Sequence, residues 1–349
     1  MHPKPPLAAR RHLMALAAAL PYRALRAPGA LGALGSLGGL ASLSGRALAQ
    51  GTFPTRAMTM IVPYTAGGAS DMGARLLAPD LGRLLNQNMV VDNVGGAGGS
   101  LGVQKLLAAP PDGHTMLYGS LSEAILVPAI NPTTPYKADD LLPVALAGKT
   151  PVVFVARKEF QANNLDDLIA LARRSPGRLT YGSPGIGTFQ HVMAETLKER
   201  AGIFMVHIPY RGGQQIVSDV MGGQVDLGVT TVPNVAPLVA TGRLKALGVS
   251  SSARVAALPD VRSFGDTPAL KGLDLQTWGM VFVHARTPEA VVARLSAAVN
   301  EVLQLPAVRE ARLKAGSELS APLSPAAALA FYRAERETYK SIARRIKPE

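Results

Sequence analysis

The chain has 349 residues, of which 48% are hydrophobic and 17% charged, and it contains no cysteine. This apolar content is enough for a sizeable core and excludes a disordered or collagen-like chain, while a disulfide scaffold or a thiolate metal site would need cysteine. Residues 1–49 hold 6 Lys and Arg and no Asp or Glu, so the formal charge of +12 falls to +6 over the other 300 residues. Because no Lys/Arg cluster is interleaved with aromatic residues, no nucleic-acid partner is expected.

The first 49 residues have the order of a secretory signal. Basic residues that include Arg10-Arg11 precede a charge-free stretch from Ala27 to Gly45, and Ala47-Leu48-Ala49 offers a small-residue cleavage site. A membrane anchor is the alternative, but Pro28 and the glycines of this stretch make a weak spanning helix. We predict a cleavable export signal over residues 1–49, used by either the general secretory or the twin-arginine route.

From Met58 onward, short apolar runs alternate with segments of helical period, which is typical of an α/β fold with mostly parallel sheets. The predicted elements of a first unit are strand Met58–Val62, helix Ser70–Leu85, strand Met89–Asp92, helix Leu101–Ala109, strand Thr115–Gly119 and the helical segment Leu121–Ile130.

A predicted strand at Pro151–Ala156 leads into a second unit of the same kind. The elements of this unit are helix Leu165–Arg174, strand Leu179–Gly182, helix Thr188–Arg200, strand Met205–Ile208, helix Val217–Met221 and strand Val225–Thr230. The last predicted strand, Leu275–Val283, is followed by the helical stretches Pro288–Leu303, Pro306–Ala315 and Pro325–Ile346. We expect these helices to return and cover the sheet of the first unit.

Three glycine-rich loops lie between a predicted strand and a predicted helix, at residues 64–71, 95–100 and 182–188. Such a junction presents free backbone N–H groups at the positive end of a helix dipole, and glycine lets an anion approach the backbone closely. The alternative is that the glycines only permit tight turns. The loops therefore indicate anion binding, without naming the anion.

Nucleotide-binding motifs fail on their spacing. A dinucleotide fingerprint that starts at Gly96 and Gly98 meets Leu101 where a third glycine is needed. Gly148-Lys149-Thr150 ends like a phosphate-binding loop, but Pro143 stands where that motif requires glycine. We expect no nucleotide cofactor.

One pattern leaves an enzyme as the alternative. Gly98 to Gly102 satisfies the G-x-S-x-G pattern of a hydrolase nucleophile elbow, with Ser100 as the nucleophile. An elbow follows its strand directly, whereas five residues separate Asp92 from Gly98. A secreted serine hydrolase stays open as the second hypothesis. No metal is expected, because no metal-ligand spacing joins the histidines of the body, His114, His191, His207 and His284.

A series of ordered motifs resembles the Bug family of extracytoplasmic solute receptors, the binding components of tripartite tricarboxylate transporters. The resemblance runs from about Thr52 to the C-terminus. One difference is Val94-Gly95, where the family usually has Arg-Pro, and another is Arg286 in a segment that usually lacks it. The matching motifs are Ile61 to Asp71, Val91 to Gly99, Pro111 to Thr115, Tyr181 to Thr188, Ile208 to Gly212, Gly222 to Asp226 and Leu258 to Val261.

The resemblance implies a two-lobed periplasmic-binding-protein fold of the Venus-flytrap, type II-like kind. Residues 50–152 plus 275–349 would form lobe 1 and residues 153–274 lobe 2, with crossings near Pro151–Ala156 and Leu273–Val283. It also implies a periplasmic receptor for a small carboxylate, with a membrane permease or a sensor protein as partner, acting as a monomer and without a cofactor. The ligand contacts carried over by motif are Tyr64, Ala66, Gly67, Gly68, Ser70 and Asp71 in lobe 1, and Ser183, Gly185, Gly187, Thr188, Tyr210 and Arg211 in lobe 2.

The leading hypothesis is a receptor that holds a carboxylate between helix N-termini of opposite lobes. Two side chains keep alternative roles: Asp71 either caps its helix or reaches a ligand amine, and Arg211 either pairs with a ligand carboxylate or is a solvated turn residue. Trp278 is expected in the core or at a hinge rather than in the cleft. A receptor that serves only signalling is a further alternative.

Overall fold

The computed structural model describes residues 53–346, so the predicted export signal lies outside the described residues. Its strands form two sheets. The first sheet has the order β11-β4-β10-β3-β1-β2 and the second the order β7-β6-β8-β5-β9. The strands are β1 (Met58–Val62), β2 (Met89–Asn93), β3 (Thr115–Ser120), β4 (Leu141–Thr150), β5 (Val152–Arg157), β6 (Thr180–Ser183), β7 (Val206–Pro209), β8 (Leu227–Thr231), β9 (Leu244–Val249), β10 (Thr277–His284) and β11 (Glu318–Leu319).

The helices follow the predicted series, with one that the sequence analysis did not expect, α7. They are α1 (Ala69–Leu85), α2 (Ser100–Ala108), α3 (Val127–Ile130), α4 (Leu165–Arg174), α5 (Phe189–Ala201), α6 (Gly213–Met221), α7 (Val232–Ala240), α8 (Glu289–Gln304), α9 (Pro306–Lys314) and α10 (Pro325–Ala343). Helices α8 and α10 pack against β4, which confirms that the C-terminal helices return to the first sheet.

Both sheets are mixed, which corrects the prediction of mostly parallel sheets. Strand β1 runs parallel to β2 and β3, but β10 runs antiparallel to β3 and β4. In the second sheet, β6 runs parallel to β7 and β8, while β5 runs antiparallel to β8 and β9. The strand-helix alternation describes only the parallel pairs. Among the described strands, the antiparallel pairs β10–β4, β11–β4 and β5–β9 involve β4 or β9, two strands that were not predicted. The pairs β10–β3 and β5–β8 join predicted strands, whose relative direction the alternation does not record.

Local sequence explains the elements that were predicted well. The side chains of Met58, Met60, Ile61 and Val62 in β1 are fully buried, as expected for a strand covered on both faces. Helix α4 begins after Asn164, whose side chain accepts a hydrogen bond from Asp167 N and so satisfies one of the free donors at the helix start.

The chain passes between the two sheets at two adjacent places. Pro151 alone separates β4 from β5, and the return path begins at Ser250 after β9. Val152 N donates to Ser250 Oγ at 3.1 Å, and Ser250 N donates to Val152 O at 2.9 Å. Ser250 Oγ also donates to Leu275 O, just before β10. One serine therefore ties both connections together.

Within residues 53–346, no single helix is long and apolar enough to cross a membrane. Helices α8 and α9 reach that length and composition only as a pair, and they are bent by 68° relative to each other.

Candidate functional site

A cavity of about 300 Å³ is lined by residues from elements of both sheets. On the side of the first sheet it meets the start of α1, at Gly68, Ala69 and Ser70. On the side of the second sheet it meets Gly213 at the start of α6 and Asn234 at the start of α7. Parts of the fold that are distant in sequence thus line one shared cavity.

The three helices that begin at this cavity share one property: none has a side-chain cap. Their N-cap residues, Gly68 for α1, Gly212 for α6 and Thr231 for α7, make no capping hydrogen bond with a side chain. The first N–H groups of a helix have no acceptor within the helix, and the helix dipole places partial positive charge there. The cavity is therefore favourable for an anion.

Polar side-chain atoms of the cavity wall are buried without a hydrogen-bond partner. Among the described residues they include Gln190 Oε1, Thr231 Oγ1, Asn234 Oδ1 and Thr277 Oγ1. Buried polar atoms in folded proteins nearly always have partners. A polar ligand or bound water in the cavity would supply them.

The predicted contacts of the first loop divide into two groups. Tyr64, Gly68 and Ser70 line the cavity, whereas Ala66 and Gly67 are exposed beside it. Asp71 is buried, and its carboxylate accepts hydrogen bonds from Gly67 N and Arg75 Nε at 2.8 and 3.0 Å.

The charge of Asp71 is already satisfied within the protein. Burial alone would raise the pKa of Asp71, but the hydrogen bonds from Arg75 and Gly67 hold it below the ordinary value. This geometry fits a structural role in which Asp71 braces the loop before α1, and a ligand amine would have to compete with both donors.

The predicted contacts of the third loop bond to protein groups instead of lining the cavity. Gly187 N donates to His191 Nδ1 at 3.2 Å, and Thr188 Oγ1 donates to Gly185 O at 2.7 Å. Ser183 Oγ lies 2.7 Å from His207 Nε2. The start of α5 is therefore occupied by protein partners.

A residue from the first-sheet side supplies a further acceptor at the start of α5. Ser122, in the helical turn that follows β3, accepts a hydrogen bond from Phe189 N at 2.9 Å through its hydroxyl. Pro184 and Gln190 are the residues of the third loop and of α5 that reach the cavity.

Tyr210 and Arg211 lie outside the set of described residues that line the cavity. The Tyr210 hydroxyl donates to Asp219 Oδ2 at 2.7 Å, and burial, together with Asp219, raises the pKa of Tyr210 to about 12. The Arg211 side chain is exposed. The geometry of Arg211 in this arrangement is that of a turn residue.

The glycine loops of the two sides lie in direct contact. A Cβ on Gly98 would lie 3.0 Å from Ile186 O, and a Cβ on Gly185 would lie 3.0 Å from Gly98 Cα. Gln214 Nε2 donates to Gly67 O at 2.6 Å. Gly95, which replaces the family's usual proline, is also tightly placed, since its Cβ would lie 3.1 Å from Arg211 O. The loops of the two sides are therefore packed against each other.

A buried carboxyl lies behind the cavity wall. Glu123 is fully buried and accepts hydrogen bonds from the hydroxyls of Tyr64 and Ser120, at 2.8 and 2.7 Å, and from Ser120 N. Burial raises the pKa of Glu123 to about 7, although these hydrogen bonds act in the opposite direction. Tyr64 and Ser120 both line the cavity.

Sequence reasoning missed the cavity residues Gln190, Gly213 and Asn234. Gly212-Gly213 is a further strand-to-helix junction with glycines, and that signal was available, but helix α6 was predicted to begin only at Val217. Asn234 follows Pro233 in a helix that was not predicted at all. Trp278, expected in the core or at a hinge, is 1% exposed and also forms part of the cavity wall.

The elements of the hydrolase hypothesis do not come together. Ser100 is 4% exposed at the start of α2. The histidine that does approach a serine hydroxyl, His207, does so at Ser183, which is itself fully buried. Across residues 53–346, no group of three or more His, Asp or Glu side chains is placed to hold a metal ion.

Comparison with known proteins agrees with the resemblance. The model of the tripartite tricarboxylate transporter family receptor matches residues 73–342. The periplasmic binding protein BugD has a TM-score of 0.80 and 28% identity, covering 84% of this chain and 98% of BugD. MatC from Rhodopseudomonas palustris, solved with bound malate, has a TM-score of 0.79 and 28% identity, covering 83% of this chain and 100% of MatC.

The Rpa4515 protein of R. palustris, solved with adipate, has a TM-score of 0.79 and 27% identity, covering 84% of this chain and 97% of that one. These values, over nearly the whole of each neighbour, show a periplasmic-binding-protein fold of the Venus-flytrap kind. The chain therefore belongs to the receptor family of the tripartite tricarboxylate transporters and is a solute-binding protein of the Bug type.

Proposed function

We propose that this protein captures a small carboxylate in the cavity between its two sheets and presents it to a membrane permease or a sensor protein. The observation that carries the proposal is the meeting of three uncapped helix N-termini, those of α1, α6 and α7, at one cavity. A carboxylate would accept hydrogen bonds from their free N–H groups. Malate in MatC and adipate in Rpa4515 are small carboxylates as well.

Capture works through closure. Residues 50–152 plus 275–349 form lobe 1 in this proposal, residues 153–274 form lobe 2, and the connections tied by Ser250 act as the hinge. When lobe 2 swings away, the N-termini of α6 and α7 leave the ligand, and the contact between Gln214 and Gly67 opens. Bound ligand then favours the closed form by the difference of its affinity for the two forms.

The site proposed here keeps Tyr64, Gly68 and Ser70 and adds Ala69, Gly213 and Asn234. Ala66, Gly67 and Asp71 hold the shape of the first loop. Ser183, Gly185, Gly187, Thr188, Tyr210 and Arg211 form the surface on which that loop and the second loop rest in the closed form. These lobe 2 residues would then affect the ligand by supporting the closed form, without touching it.

The first test is a thermal-shift screen of protein that has been recovered from the periplasm and freed of ligand by partial unfolding. Mono-, di- and tricarboxylates, aromatic acids and amino acids form the panel. A ligand at a hundredfold its dissociation constant adds about 2.7 kcal/mol of stability. A shift with one class of acid supports the proposal, and no shift with any acid from folded, empty protein refutes it. The N-terminal sequence of the same sample tests cleavage after Ala49.

A matched pair of proline variants tests the helix N-termini directly. Ala69 is the first residue of α1, after Gly68 in an extended conformation (ψ 170°), so Ala69→Pro removes one N–H group at a position where a helix accepts proline. Glu289→Pro does the same at the start of α8, away from the cavity. Loss of a hydrogen bond to a charged group, about 1.5–3 kcal/mol, weakens binding about ten- to a hundredfold. Equal affinities of the two variants would contradict the proposed role of α1.

A further inference from the structure

Arg312 lies in the cavity wall, and its side chain has no hydrogen bond or ion pair with any residue between 53 and 346. Arg312 on α9 is 7% exposed, and its Nε is buried with no hydrogen-bond partner. Its Nη2 lies 2.8 Å from the position of a Cβ on Gly148, and both residues line the cavity. The guanidinium end therefore lies beside Gly148 in the cavity wall.

Among the residues that the structure describes, no carboxylate makes an ion pair with this guanidinium. Among the described residues that line the cavity there is no Asp or Glu. Glu318 follows α9, but its carboxylate accepts from Gln276 Nε2 at 3.2 Å. Glu335 is not part of the cavity wall, and its carboxylate accepts a hydrogen bond from the indole Nε1 of Trp278 at 2.9 Å.

Another buried cation of the chain shows the usual arrangement. Lys198 is 8% exposed, and its ammonium lies 2.7 Å from Glu195 Oε1. A buried charge without a partner is unfavourable, because the charge loses its hydration on folding and gains no group of opposite charge in return. Burying the Arg312 guanidinium therefore costs free energy in the empty protein, and a bound anion would reduce that cost.

The other residues of the cavity wall indicate which kind of ligand body would fit. Apolar side chains and rings also line the cavity that Arg312 shares with the helix N-termini: Leu76, Met72, Tyr118, Trp278, Pro184 and Pro233. An ammonium group would find the positive ends of three helices and a guanidinium here, and no carboxylate in the wall to pair with it. The wall favours a largely apolar body and is electrostatically unfavourable for an ammonium group, because its free acceptors, Gln190 Oε1 and Asn234 Oδ1, carry no charge to offset the guanidinium.

We propose that Arg312 pairs with an acid group of the ligand and selects acids with an apolar body over amino acids. The inference rests on the proposed function and deepens it by naming the class of ligand. Arginine is suited to this role because its planar fork binds a carboxylate through two parallel hydrogen bonds.

The test measures, by calorimetry, the affinity of the wild-type protein for adipate, hexanoate, benzoate and 2-aminoadipate. The same measurement on Arg312→Met and Arg312→Lys uses the tightest of these acids. Arg309→Gln is the matched control, because Arg309 is on the same helix and its Nη1 donates to Gln304 Oε1 at 3.0 Å, away from the cavity. We expect Arg312→Met to weaken binding at least tenfold, Arg312→Lys to weaken it less, and Arg309→Gln to leave it unchanged.

The melting temperature of the empty protein separates a ligand partner from a structural residue. We expect Arg312→Met to raise it, because the unpaired buried charge is removed, while a structural arginine would lower it. Unchanged affinity in Arg312→Met overturns the inference while leaving the proposed function intact, as does 2-aminoadipate binding as tightly as adipate. A wild-type protein that binds no acid overturns the proposed function and the inference with it.

Discussion

Glu123, the buried carboxyl behind Tyr64, should make the stability of the protein fall as the pH rises, and one substitution can isolate this effect. In the folded protein the pKa of Glu123 is raised by burial from 4.5 to about 7. The folded state then holds the proton more tightly than the unfolded state, so the contribution of Glu123 is full below about pH 4.5 and is lost as the pH rises through 7. A shift of this size corresponds to roughly 3 kcal/mol.

Other buried groups act in the opposite direction over the same range. The pKa of His191 is lowered to about 3 and that of His207 to about 4, mainly by burial. Both histidines therefore favour the folded state more as the pH rises toward 6.5. The stability of the wild-type protein alone would mix these effects, and a comparison with Glu123→Gln separates them.

The assay is urea unfolding of the wild-type protein and of Glu123→Gln between pH 4.5 and 8. Glutamine keeps the size of the side chain and can bond both hydroxyls, of Tyr64 and Ser120. At pH 4.5 we expect the two proteins to be about equally stable. By pH 8 the variant should be more stable by roughly 3 kcal/mol. A stability difference that does not change with pH, or a variant that loses stability as the pH rises, would refute the reasoning.

Three further outcomes follow from contacts around the cavity. Gly98→Ala and Gly242→Ala both place alanine at a left-handed φ, 64° and 66°, but of these two only the Cβ at Gly98 would meet other atoms, 2.9 Å from Val127 Cγ2. We therefore expect Gly98→Ala to lose about 1–3 kcal/mol more stability than Gly242→Ala in urea unfolding. Equal losses would contradict the contact. Trp278, the single tryptophan of the chain, lies in the cavity wall, so its fluorescence should change when the bound acid is added, and an unchanged spectrum would place the ligand elsewhere. Gln214→Ala removes the bond across the two sides and should speed ligand release about fivefold in stopped-flow experiments, at a cost of about 1 kcal/mol; an unchanged rate would show that this bond does not hold the closed form.

Local sequence predicted the parallel part of the fold well, because each such unit carries its own signals. Helix α4 was predicted with the observed bounds, since an Asn cap and a clear apolar stripe mark it. Strand β4 was missed because Pro143 and Gly148 interrupt its apolar run, and both residues argue against a strand. Helix α7 was missed because Pro233 and Pro237 lie within it, and a proline is usually a sign of a loop.

The site was predictable only where it depends on one loop. The first glycine loop indicated an anion at the start of α1, and Tyr64, Gly68 and Ser70 do line the cavity. The placement of Asn234 and Arg312 depends on how the two sheets face each other, which no local pattern records. The start of α5 had the same glycine signal as α1, but its backbone donors already have acceptors within the protein. Phe189 N donates to Ser122, which is distant in sequence, and Gly187 N donates to His191, which lies further along the same helix.

The position of β10 gives the chain a fixed order of assembly. The second sheet is continuous in sequence between residues 152 and 249, so it can be completed as soon as that segment is available. The first sheet cannot, because β10 lies between β3 and β4 and comes more than 120 residues after β4. Until it arrives, β3 and β4 each present an open edge, of the kind that pairs with other chains. A chain that ended before Thr277 would keep the complete second sheet but would leave one edge of β3 and the edges of β4 without a partner strand. We expect such fragments to aggregate instead of remaining in solution.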